Sequence, residues 1–130
     1  MMGDGTRRGP MKIQDMVQEV VAGPLGLFVE QVLPPRGCLE GPVVMRVDLT
    51  NGYGLSLSQY RTQVRHAEAE LMVVRRVNDP EDDTRHDYST EVTHDVVPYA
   101  TVDTIKEAIN VLRLLVNDPY DLRVRTRPDH

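Results

Sequence analysis

The chain has 130 residues, with 20 acidic and 15 basic residues, a formal net charge of −5, one cysteine, one Phe and no Trp. That length suits one domain with a single core, and the aromatic poverty makes the core aliphatic. The negative balance argues against a nucleic-acid surface, the lone Cys38 against an intramolecular disulfide or a cysteine-held zinc, and the absence of a long apolar run against a membrane span.

Residues Met1–Pro10 are rich in Gly and Arg, lack the apolar stretch of a signal peptide, and are expected to be disordered. A single domain is expected over 11–127, made of a helical segment at 11–35 and a hairpin–sheet–helix core at 43–116, with a tail at 128–130. Ile13, Met16, Val17, Val20 and Val21 recur at the spacing of one helical face, and Gly23-Pro24 stops that helix. Leu25, Phe28, Val29, Val32 and Leu33 repeat the pattern and predict a second short helix. A strand through Leu27–Leu33 is the alternative, and Pro34-Pro35 ends either one. The face Ile13, Met16, Val17, Val20 and Phe28 has two readings: packing on the sheet, or a surface for a partner or a dimer.

The stretch Val43–Tyr60 is the strongest signal. Met45, Val47 and Leu49 alternate before Asn51-Gly52-Tyr53-Gly54, and Leu55 and Leu57 alternate after it, which reads as a β-hairpin. A two-residue turn would set polar against apolar across the ladder, so an odd loop or a bulge is expected. Leu49 would then face Leu55 or Leu57, with Gly52 and Gly54 at positive φ. Arg61–His66 reads as loop or strand continuation. A third strand follows from Ala67 to about Val77. The acidic run Asn78–Asp83 is a solvated turn without the spacing of a calcium loop. Tyr88, Thr90 and Val92 alternate with polar residues and predict a fourth strand. Thr101 is a good N-cap for a helix through Val116 whose buried face is Ile105, Ala108, Ile109, Leu112, Leu115 and Val116. Leu122–Arg127 alternates as an edge strand would.

The order of alternating strand, Asn51-Gly-Tyr-Gly-Leu-Ser-Leu57, acidic turn, and then Thr93, Asp95, Val96, Tyr99 and Thr101 ahead of a helix resembles a group of small uncharacterised proteins from tailed phages and prophages. The resemblance covers roughly residues 45–115 and departs at Arg75 and Arg76. It implies a phage or prophage product acting in the bacterial cytoplasm, and it implies no activity.

No catalytic residues emerge. His86-Asp87 and His94-Asp95 lie too far apart along a strand to share a metal, no serine sits in a nucleophile elbow, and Cys38 has no local signature. No cofactor or metal is expected. The expected fold is α+β: an antiparallel sheet of three to five strands, a C-terminal helix on one face and one or two N-terminal helices. The expected function is a non-enzymatic protein that binds a host or phage protein, as a homodimer, in host takeover or counter-defence. A minor virion or assembly component is one alternative. The other is a binder of an anionic or nucleotide signal through Arg75, Arg76, Tyr53 and Tyr60, joined by the tail arginines.

Overall fold

The computed structural model describes residues 9–37, 41–81, 83–87, 89–93 and 95–120. Expectations for Met1–Arg8, Cys38, Asp82, Tyr88, His94, the Leu122–Arg127 strand and the 128–130 tail lie outside the described residues. The fold is α+β. Its elements are α1 (Ile13–Val21), a 3-10 segment (Pro24–Phe28), β1 (Val29–Gly37), β2 (Val43–Leu49), β3 (Tyr53–Gln59), α2 (Arg61–Val64), β4 (Ala69–Arg76), β5 (Thr84–His86), β6 (Val97–Ala100) and α3 (Val102–Leu112). The six strands form one antiparallel sheet in the order β1-β2-β3-β4, and β5 and β6 share the far edge of β4.

The α1 helix buries Ile13, Met16, Val17 and Val20, as its spacing requires, and ends where the Ala22 amide donates to the Gln18 carbonyl and the Gly23 amide to the Val20 carbonyl. Those four side chains lie in the core, packed with α3 and the sheet. Phe28 is half-buried against the same core, beneath the Arg113 guanidinium. The partner-surface reading of these five residues is therefore corrected: α1 covers its own sheet with the first four, and Phe28 packs on the same core from the 3-10 segment.

The predicted second helix is also corrected. Only Pro24–Phe28 is helical, as one 3-10 stretch, and Val29–Gly37 is a strand. A bulge explains the misleading spacing. Val29 faces Leu49, the register shifts, and Val32 then faces Val47. One extra residue in the strand puts side chains three apart on the same side, which imitates a helical face. Pro34-Pro35 does not end the strand either. The prolines sit at a second shift between Leu33 and Arg36, on the outermost strand, where lost donors are tolerated.

The hairpin has the expected odd loop, Thr50-Asn51-Gly52. Its register differs by two residues from the nearer of the two expected ones: Leu55 faces Val47 and Leu57 faces Met45. Parity is kept, so the apolar set still shares a face. Gly52 takes φ +90°, whereas Gly54 has no positive φ. Gly54 serves close approach instead, since a Cβ there would stand 2.7 Å from the Val47 carbonyl oxygen.

Residues 61–66 start with the short α2, and Ala67 turns the chain at φ +53° before β4 begins at Ala69. The described residues 89–93 of the predicted Tyr88–Thr93 strand form no strand, and the strand that follows β4 is β5, Thr84–His86. After it, Asp87 folds the chain away by accepting from the Ser89 amide and hydroxyl at 2.8 and 2.5 Å. Thr90 is buried and Val92 packs on the core, so their alternation records burial without a ladder. The chain returns to the sheet as β6.

The Thr101 hydroxyl accepts from the Thr104 amide at 3.3 Å and starts α3 as expected. The helix stops at Leu112 rather than Val116, and Val116 is 93% exposed. Val102, Ile105, Ala108, Ile109 and Leu112 close the core over Leu55, Leu57, Leu71 and Val73. Each large aliphatic buried there contributes about 1.5–3 kcal/mol before chain entropy. Among the described residues, no helix is long and apolar enough to cross a membrane.

Candidate binding surface

Arg75 and Arg76 are neighbours on β4, so their side chains leave opposite faces of the sheet. Arg75 points to the helical side. It is 1% exposed, and its Nε lies 3.6 Å from Asp87 Oδ2. Its Nη1 donates to Asn117 Oδ1 at 3.4 Å and to the Asp118 carbonyl at 3.3 Å. This is an internal tie between the sheet and the segment after α3. Tyr53 faces Arg75 and is buried too. Tyr60 stands beyond the opposite end of β3 and is 45% exposed. The four residues do not converge, and Arg123, Arg125 and Arg127 lie outside the described residues. The expected anion patch has no basis in their placement.

The surface that does assemble is the face of the sheet away from α1 and α3. Cross-strand partners share a face, so Arg46, Ser56 and Met72 stand in one row. Asp48, Gly54 and Val74 form the next row, and Val44, Ser58 and Glu70 the one on the other side. Asp48 is the centre of a charge network. It accepts Gln31 Nε2 at 2.7 Å, and Arg46 Nε and Nη2 at 2.9 and 3.1 Å in a two-pronged pair. Arg46 Nη1 also donates to Thr84 Oγ1 at 3.3 Å. Arg76 Nη2 donates to Glu30 Oε2 at 3.0 Å and lies 3.6 Å from Asp48 Oδ2. The Glu30 hydrogen bond, against a partial loss of solvation, pushes the Arg76 guanidinium above its ordinary value. Four strands, β1, β2, β4 and β5, are thus tied by side chains that are held before any partner arrives.

Next to this network lies a depression of about 190 Å³ lined by Leu33, Pro34, Val44 and Ser56, with Arg36 and Arg46 on its rim. It exists because the second bulge of β1 lifts Pro34-Pro35 out of the ladder. The small Ser56 and Ser58 of β3 leave the middle of the face low. The sequence held two signals for this surface: Arg46 and Asp48 alternating with Met45, Val47 and Leu49 in β2, and the Ser-x-Ser alternation of β3.

Comparison with models of protein families, with curated proteins and with solved structures finds no match. Geometry and sequence therefore carry the functional reading. Among the described residues, no group of three or more His, Cys, Asp or Glu side chains is placed to hold a metal.

Proposed function

We propose that the chain is a phage- or prophage-encoded, non-enzymatic protein that binds a host or phage protein through the helix-free face of its sheet. The phage origin is supported by the resemblance in Asn51–Leu57 and Thr93–Thr101. The binding role is supported by one observation above all: a pre-ordered charge network set against a depression of mixed apolar and basic lining on a face that neither α1 nor α3 covers. Such a surface suits a partner that presents an apolar side chain with an acidic neighbour, the first for the Leu33–Val44 floor and the second for Arg36.

The test is affinity capture from infected-host lysate with the natural chain, Val44→Glu and Ser56→Arg, read by mass spectrometry. A partner held by the natural chain and released by both variants supports the reading. A host partner then indicates takeover or counter-defence, and a particle protein indicates assembly. Equal capture by all three removes the sheet face from the mechanism. Light scattering of the purified chain tests the homodimer, for which α1 offers no free apolar face.

A further inference from the structure

The start of α1 meets the ends of β2, β3 and α2 around a cleft of about 330 Å³. Ile13, Val43 and Val64 supply its apolar wall, and Lys12 and Arg61 reach it from two different elements. The volume falls at the lower end of the range for small-molecule sites, roughly 300–1,000 Å³.

Arg46, Arg75, Arg76 and Arg85 all sit in ion pairs with carboxylates. Lys12 and Arg61 have no carboxylate within ion-pair reach among the described residues. Two cations without an ion-pair partner among the described residues thus share one cleft in a chain of net charge −5.

The cleft is also rigid at its base. Gln59, buried in β3, accepts from the Ile13 amide at 2.6 Å and donates to the carbonyls of Met11 and Glu68 at 2.9 and 3.1 Å. Because Gln59 takes the Ile13 N–H, recognition of an anion falls to the Lys12 and Arg61 side chains rather than to the helix end.

The geometry points to a binding site for a small phosphate monoester with an apolar body: the phosphate between Lys12 and Arg61, the body against Ile13, Val43 and Val64. This site is independent of the helix-free sheet face, and its residues are not those that line the depression there.

The experiment is isothermal titration of the full chain at low salt with phenyl phosphate, inorganic phosphate and phenol. Saturable binding of phenyl phosphate, tighter than that of inorganic phosphate and absent for phenol, is the expected result. Each of Lys12→Ala and Arg61→Ala should raise the dissociation constant about tenfold, the equivalent of one charge-assisted contact. Lys12→Arg should restore most of it, with the thermal midpoint unchanged throughout. Three outcomes overturn the assignment: no heat with millimolar phenyl phosphate, binding by Lys12→Ala/Arg61→Ala as tight as by the natural chain, or equal binding of inorganic phosphate, which would mean an adventitious ion only.

Discussion

The Asn51 side-chain amide, at the tip of the β2–β3 hairpin, donates to the Leu112 carbonyl at 2.8 Å, and its second hydrogen reaches the Leu115 carbonyl at 2.9 Å. The turn thus caps the end of α3, whose last carbonyls have no partners within the helix. Its Oδ1 also accepts from the Tyr53 amide at 3.2 Å, so one side chain shapes the loop and stops the helix. Asn51→Ala should cost about 1–3 kcal/mol in urea unfolding, through the loss of two half-buried hydrogen bonds to the end of α3. Asn51→Asp should cost at least as much, because a carboxylate oxygen would then face those carbonyls. An unchanged midpoint for both variants would show that the contact does not stabilise the fold.

The end of α3 is open to a paired comparison. Leu112 is fully buried, whereas Val116 stands almost wholly in solvent. Leu112→Ala should lower stability by about 2–5 kcal/mol. Val116→Ser should change it by less than about 0.5 kcal/mol. Comparable losses at the two positions would place the helix boundary further along the chain.

Gly54 and Gly52 should fail for different reasons. Alanine at Gly54 drives a Cβ to 2.7 Å from the Val47 carbonyl and 3.0 Å from Asp48 Oδ1, so the ladder itself must part. Alanine at Gly52 meets a strained φ of +90° and the Asn117 amide, the end of a movable side chain. Both variants lose stability. Only Gly54→Ala should also disturb amide exchange in the middle of β2 and β3, which hydrogen-exchange mass spectrometry resolves.

The Arg75–Asp87 pair is buried on both sides. Arg75→Met alone leaves a carboxylate in the interior and should cost about 3–5 kcal/mol. The double variant Arg75→Met/Asp87→Leu should recover much of that loss. A double variant as unstable as the single one would mean that the ties from Arg75 to Asn117 and Asp118, rather than the charge, hold the region.

Arg76 behaves differently because it is 43% exposed. Its raised value means that its contribution is fully present below the unfolded-state value and is lost only as pH rises through the still higher folded one. Both lie at strongly alkaline pH, so neutral pH changes should not modulate this contact through the arginine. Salt should. Arg76→Ala is expected to cost under about 1 kcal/mol at low ionic strength and less at high, by chemical denaturation in the two buffers.

The sheet, α1, α3 and the Thr101 cap were legible because each rests on local periodicity or a local hydrogen bond. What misled were places where pairing with a distant strand changed the period. Val29 and Val32 share a side only because a bulge lies between them, and nothing local announces that bulge. Thr90 and Val92 alternate like a strand, yet Asp87 turns the chain before a ladder forms. Arg75 and Arg76 looked like a patch in one dimension, and the pleat sends them to opposite sides. The charge network could be glimpsed in Asp48, but its partners Gln31, Arg76 and Thr84 come from other strands. The Lys12–Arg61 cleft depends on a meeting of elements far apart in the chain.

The two prolines in β1 set a limit on how this protein assembles. At Pro34 and Pro35 the sheet's outer margin has no N–H to offer, and the strand is offset there as well. An incoming strand would run out of rungs halfway along. Fibre-like stacking of copies by continuing the ladder is therefore blocked on that side. On that side a second molecule has to arrive broadside, by side chains.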